Sequence, residues 1–351
     1  MNNSFWKNKK VLITGHTGFK GSWLTAMLYS LGSEVYGVSL EPTSMPSIYT
    51  LAKINELTAF SEVIDIREYS KLSKLIIECQ PEIIFHLAAQ SIVGVSYNNP
   101  VETYSTNIMG TINLLESVKK INSVRSIVNV TSDKCYNNKE TNIGYIEDDK
   151  MGGNDPYSSS KGCVELVSEA YRKSYLNPKN ICLATVRAGN VIGGGDYNKY
   201  RLIPDIFNSI DTKKKLKIRG LNSTRPWQHV IDPLLGYMMV AEHGYDSIKY
   251  SAGWNFGPSQ NTSMSVHEIL DFFKLYFPSL TWVEDTKVLF EETKLLHLNV
   301  EKARDQIKWE PKIAINKALD LTIKWYQESK RNKDMKAFTL DQIYTYTKMY
   351  Y

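Results

Sequence analysis

The most constraining feature of this 351-residue chain lies near its start. Val11-Leu12-Ile13-Thr14 is followed by Gly15-His16-Thr17-Gly18-Phe19-Lys20-Gly21 and then by a helical pattern from Ser22 to Leu31. A short apolar run stopped by glycine reads as a strand buried on both faces, the kind that populates parallel sheets. Parallel strands need crossovers, so such a start commits the chain to alternating strands and helices. A glycine-rich turn from strand to helix also lets backbone N–H groups approach a pyrophosphate at the positive end of the helix. The spacing is Gly-x-x-Gly-x-x-Gly, one residue longer than the usual dinucleotide fingerprint. Its place directly after a strand gives it weight, and the turn from Gly15 to Gly21 is the candidate cofactor cradle.

The alternation continues. A second strand, Glu34 to Leu40, ends in Ser39 and Leu40 with Glu41 just beyond, where a ribose-binding acid is expected. Its end therefore does not choose between NAD and NADP. Asp65-Ile66 closes a third strand, with Asp65 either contacting adenine or capping the next helix. Ile83 to Leu87 is a fourth strand, and the small residues Ala88-Ala89 with Gln90 let a cofactor lie close over its end. His86, inside that apolar run, reads as a satisfied core histidine. Thr103 to Lys120 is a helix with Asn107 on its buried face. Ser126 to Thr131 is a fifth strand that delivers Ser132-Asp133-Lys134, and Cys182 to Arg187 is a sixth. The expected fold is α/β, a Rossmann-type doubly wound parallel sheet. Ligands of such sheets bind beyond the strand carboxyl ends, where Gly15, Ala88 and Ser132 fall.

After Arg187 the texture changes to a loop with four glycines, Ala188 to Asp196, and then to shorter mixed segments. Length supports a second unit, since single cores stop growing near ~250–300 residues. The expected division is a cofactor domain over 1–187, with later segments returning to it. A smaller, mainly substrate-binding domain spans 188–330, and 331–351 is a tail. Arg225 to Asp232 and Trp254 to Pro258 fall in the smaller unit. The net charge of +5 gives no argument for nucleic acid, and Lys213 to Lys217 reads as a solvated helix end. Four cysteines without metal-ligand spacing, and no secretory or membrane-spanning run, fit a reduced cytoplasmic protein without a metal.

The chemistry centres on Asp155-Pro156-Tyr157-Ser158-Ser159-Ser160-Lys161. On a helix, a four-residue step puts Tyr157 and Lys161 on one face, one turn apart. A phenol with a reference pKa near ~10 is a poor base, but a neighbouring ammonium and a nicotinamide cation both favour its phenolate. Such a pair can take a proton from a sugar or alcohol hydroxyl while hydride leaves the same carbon. The planar guanidinium of Arg225 suits bidentate contact with phosphate oxygens. Trp227 and Trp254 either stack on a base or fill the core.

Taken in order, the Gly15/Gly18/Gly21 turn, Ala88-Ala89, Asn107, Tyr157/Lys161, Arg187 with Asn190, and Arg225 to Asp232 resemble the extended short-chain dehydrogenase/reductase superfamily over Lys9 to about Tyr326. Dehydratases of that superfamily usually carry Thr-Asp-Glu where this chain has Ser132-Asp133-Lys134. The lysine, with the sequences around residues 15–21, 131–136, 186–196 and 225–230, resembles the CDP-glucose 4,6-dehydratases. That resemblance implies NAD as cofactor, CDP-glucose as substrate, a homodimer or homotetramer, and a place in bacterial deoxysugar synthesis for surface polysaccharide. It also implies cofactor contacts from Gly15 to Gly21, Asp65, Ile66, Leu87 to Gln90, Asn107, Tyr157 and Lys161. Ser132, Arg187, Asn190, Arg201 and Arg225 are implied at the substrate. Ser132 would assist Tyr157, and Asp133 would serve as the acid. Lys134 has three readings: the base at sugar C5, a charge that stabilises the enolate, or an ion-pair partner of Glu147 or Asp148. The rival functions are another nucleotide-sugar dehydratase or 4-epimerase, a plain alcohol dehydrogenase, and a non-catalytic NAD(H)-sensing regulator.

Overall fold

The computed structural model describes residues 3–350 apart from 142, 219, 259–263, 286–294 and 332. Its main elements begin with β1 (Lys10–Thr14), α1 (Phe19–Ser30), β2 (Glu34–Ser39), β3 (Phe60–Val63) and α2 (Tyr69–Cys79). Next come β4 (Ile83–His86), α3 (Gly110–Val118), β5 (Ser126–Val130), α4 (Pro156–Tyr171) and β6 (Cys182–Ala188). The chain continues through α5 (Ile231–Asp246), β7 (Gly253–Phe256), α6 (Ile315–Lys330) and α7 (Met335–Thr347). The seven strands form one sheet in the order β7-β6-β5-β4-β1-β2-β3, every pair parallel. The order reverses between β1 and β4, and the crevice at that switch point is where such sheets bind ligands.

The inner strands β1, β4 and β5 are largely apolar because both of their faces are covered. Val11 and Ile13 of β1 point into a core with Trp23 and Met27 of α1 and Leu234 and Met238 of α5. Leu12 between them points into the opposite core with Leu72 and Ile76 of α2 and Leu114 and Leu115 of α3. The same alternation divides Ile83 and Phe85 from Ile84, and Val128 from Ile127. This is the two-sided burial expected of parallel strands.

Two expectations change. The helix expected over Thr103 to Lys120 is present from Pro100 to Val118, but it passes through a wide π turn at Ser105–Met109 before α3. Asn107 sits in that turn, and such bulges are often found at functional sites. Trp254-Asn255-Phe256, expected in the smaller unit, is instead the outermost strand of the main sheet, pairing with β6 from Gly253↔Thr185 to Phe256↔Ala188. Its apolar signal is interrupted by Asn255, whose buried amide is satisfied by the Tyr136 hydroxyl and the Tyr145 carbonyl. At the far end, α7 packs on α1 and α6, and the Trp325 indole donates to Thr339 at 2.9 Å.

Candidate active site

A cleft of about 710 Å³ runs along the carboxyl ends of the strands. Gly15, Thr17, Gly18, Phe19, Lys20 and Gly21 line one wall. Gly15 has φ +79°, and a Cβ there would lie 2.7 Å from the Ala88 nitrogen, so the turn and the end of β4 can approach only with glycine. Gly18 is the N-cap of α1 and has no side chain to compete for the first amides of the helix. Thr17 Oγ1 ties the turn to the end of β2 through Ser39 Oγ and Leu40 O, each 2.8 Å away. This backbone-lined cradle under a helix N-terminus fits a pyrophosphate. His16 departs from its expected place: its ring turns from the cleft to sit over Gly37, with Nε2 2.7 Å from Ser61 Oγ. Burial lowers it to about 4, so it is neutral. At the other end Asp65, Ile66 and Arg67 line the cleft. Asp65 accepts from the Arg67 backbone and guanidinium, and the N-cap of α2 is Glu68, so the capping alternative for Asp65 falls.

Leu87, Ala88, Ala89 and Gln90 line the floor. Asn107 does not line the cleft; it lies behind them. Its Oδ1 accepts from the Gln90 N–H at 2.8 Å, while Nδ2 donates to Gln90 O and to Ser160 Oγ. Asn107 therefore fastens the end of β4 to α4. The amide of asparagine can serve a donor and an acceptor at once, which is why this residue type suits a bridge between backbone and helix. His86 is buried between Thr14 Oγ1 and Thr111 Oγ1, as a core histidine should be.

Asp155 caps α4, its Oδ1 accepting from Ser158 N, and Pro156 takes the first helical position. That start sends Tyr157 and Lys161 into the cleft, both almost wholly buried. Burial pushes the Tyr157 phenol up to about 12, opposed by a hydrogen bond with Ser132 and by the charge of Arg201. Lys161 was expected to favour the phenolate, together with the nicotinamide charge. Instead its ammonium donates to Val130 O at 3.1 Å, and burial lowers it to about 8 against the pull of Glu165. Lys20 is lowered to about 8 as well, by burial and then by Arg201, and its Nζ reaches the Tyr237 hydroxyl.

Ser132, Asp133 and Lys134 line the same cleft from the end of β5. Ser132 Oγ accepts from Lys134 N and donates to Asp133 Oδ1 at 3.0 Å, closing a short 3-10 turn over Asp133–Cys135. The reading of Lys134 as a partner of Glu147 or Asp148 fails. Among the described residues it makes no ion pair with either, and Glu147 Oε1 instead accepts from Asn255 N. Asn190, Arg201 and Arg225 line the opposite wall. Arg201 is held by Asp196 at 2.8 Å. Arg187 does not line the cleft: its guanidinium is buried against Glu165, Tyr136 and the Glu147 carbonyl. An arginine beside a binding loop is indistinguishable in sequence from one serving a buried acid. Trp254 is core, whereas Trp227 lines the cleft. Asp196, Tyr200 and Glu165 are residues that sequence reasoning passed over. For Glu165 the available signal was the repeat of the four-residue step from Tyr157 through Lys161.

The family model described as GDP-mannose 4,6 dehydratase matches residues 12–322. The CDP-glucose 4,6-dehydratase of Salmonella typhimurium is 46% identical over 342 residues, 95% of each chain. Among solved structures, an epimerase of Methanothermobacter thermautotrophicus superposes with a TM-score of 0.80 at 24% identity, covering 94% of this chain and 95% of that one. The dTDP-glucose 4,6-dehydratase of Bacillus anthracis in complex with NAD gives 0.76 at 24% identity, over 92% and 98%.

Proposed function

We propose, because the chain belongs to the GDP-mannose 4,6 dehydratase family, that it converts CDP-glucose to CDP-4-keto-6-deoxyglucose and water. The observation that carries this reading is the meeting of two sets of groups in one cleft. Tyr157 and Lys161 are the pair for alcohol oxidation, while Asp133 and Lys134 are an acid and an amine with no role in a simple oxidation. The choice of CDP-glucose rests on the Salmonella relative, 46% identical.

NAD, when bound, would supply the hydride acceptor, the source of the returned hydride and a positive charge. Gly15 to Gly21 would hold its pyrophosphate, Asp65 and Ile66 its adenine end, and Leu87 to Gln90 would lie beneath it. Tyr157 takes the proton of the sugar's 4-hydroxyl, helped by Ser132 and by the nearby charges. The 4-ketone acidifies the hydrogen at C5. Asp133 delivers a proton to the departing 6-hydroxyl. Lys134 either accepts the C5 proton in its neutral form or, kept charged, steadies the enolate while Asp133 or Tyr157 handles the C5 proton. Arg225 and Arg201 bind the diphosphate, with Asn190 at phosphate or sugar. Residues 1–187 with β7 hold the cofactor, 188–330 mainly the nucleotide sugar, and the tail packs behind.

The test is incubation with CDP-glucose and, separately, UDP-, dTDP- and GDP-glucose, followed by mass analysis. Loss of one water from the CDP sugar is expected. A product of unchanged mass would mean an epimerase, and stoichiometric NADH a plain dehydrogenase. A homodimer, or a tetramer built from it, is part of the same reading. Val101, Met109 and Leu166 are exposed apolar residues beside the contact that Tyr104 makes with Ser159 of α4. Both NAD and nucleotide sugars are cytoplasmic metabolites, which supports that setting, and among the described residues no helix is long and apolar enough to cross a membrane.

A further inference from the structure

The buried ion pair of Glu165 and Arg187 lies outside the cleft, yet it grips both ends of the turn that carries Ser132, Asp133 and Lys134. Upstream of the turn, Thr131 Oγ1 donates to Glu165 Oε1 at 2.5 Å. Downstream, the guanidinium of Arg187 donates to the Tyr136 hydroxyl at 2.6 Å. The pair itself is bidentate, Nε to Oε1 at 2.8 Å and the terminal nitrogen to Oε2 at 2.9 Å. Thr185 Oγ1 completes the set at 2.7 Å. Glu165 belongs to α4, four residues beyond Lys161 and eight beyond Tyr157, so all three share a face of one helix. Four donors converge on one carboxylate, and although burial works against its charge, Arg187 and the threonine hydroxyls hold it ionised.

We propose that Glu165, locked by Arg187, is a positioning residue that keeps the eliminating groups of the 132–134 turn in register with the oxidising pair on α4. The inference rests on the dehydratase reading above, which requires both sets to act on adjacent carbons of one sugar. A fixed separation between the β5 end and α4 is then a condition of turnover, since a displacement of about 1 Å can cost about 10²-fold in rate. A buried pair spanning two elements and saturated with hydrogen bonds suits that purpose better than a surface contact, because losing one partner leaves a charge exposed to a low-dielectric interior.

The telling variant is Thr131→Val, which cuts the tether to the turn but leaves the Glu165–Arg187 pair whole. Wild type and variant are given CDP-glucose, and dehydrated product and the absorption band of reduced nicotinamide are followed together. The expected result is a kcat lowered about tenfold or more, with KM within about threefold of wild type. Reduced cofactor should build up during turnover, because C4 oxidation continues while water loss lags. Thr131→Ser, which keeps the hydroxyl, should recover most of the turnover. Tyr136→Phe, which cuts the downstream tether, should give the same build-up and serves if the valine variant folds poorly. Unchanged kcat in both Thr131→Val and Tyr136→Phe would overturn the proposal. So would an equal loss of both half-reactions without reduced cofactor accumulating. A wild-type protein that dehydrates no nucleotide sugar would instead overturn the functional reading, which separates the two failures.

Discussion

At the residue scale, Lys161 shows how function and stability pull apart. Its folded pKa of about 8 lies below that of a free lysine because burial penalises the charge. The folded protein therefore binds this proton more weakly than the unfolded chain does. The cost is present at pH 7 and disappears as pH climbs from about 8 to above the unfolded value, so this group makes stability rise over that window. Lys161→Met should abolish turnover yet raise Tm at pH 7, with the gain shrinking as pH climbs from about 8 and gone above the ordinary lysine value of 10.5; thermal melts at several pH values read it directly. Tyr157→Phe should lower kcat by about 10²–10⁴-fold, the usual worth of a positioned proton acceptor, with Tm little changed. The Tyr-x-x-x-Lys spacing made both residues visible in the sequence. Their surroundings were not. That Lys161 would spend its proton on Val130 O, and that Arg187 would serve Glu165 rather than substrate, depends on partners 31 and 22 residues away. Residue type alone does not encode such distances.

At the scale of elements, the strand–turn–helix of β1 and α1 was legible because two signals agreed, an apolar run and glycines at a fixed offset. The π turn at Ser105–Met109 was not, since apolar periodicity slips there by a single residue. That slip places Asn107 where its amide meets both backbone groups of Gln90. Asn107→Ala should strand those groups and cost on the order of 1–3 kcal/mol. Because Gln90 lies on the floor assigned to the cofactor, affinity for NAD should weaken more than affinity for the sugar nucleotide, as separate titrations would show. Gly15→Ala meets a harder limit. A positive φ and the Ala88 backbone both oppose a Cβ, so a lowered Tm and loss of NAD binding are expected together. The missed strand β7 has a plain cause: four residues with a polar one among them carry too little pattern to be told from a loop.

For the whole molecule, the doubly wound sheet was legible from the alternation of buried strands and helices, while the return of β7 to its edge was a matter of tertiary pairing. The exposed Val101 and Leu166 near α4 are expected to lie between two copies. Val101→Asp with Leu166→Asp should give a monomer by sedimentation, where a dimer or larger is expected of the unaltered protein. The central claim is that one cleft oxidises a sugar, removes its water and restores the hydrogen within a single binding event. CDP-glucose carrying deuterium at C4 tests it most directly, with the product examined by mass and by NMR. The account predicts a 4-keto-6-deoxy sugar one water lighter, with that deuterium now at C6 and no net NADH. Deuterium left at C4, or captured in NADH that accumulates mole for mole with oxidised sugar, would contradict it.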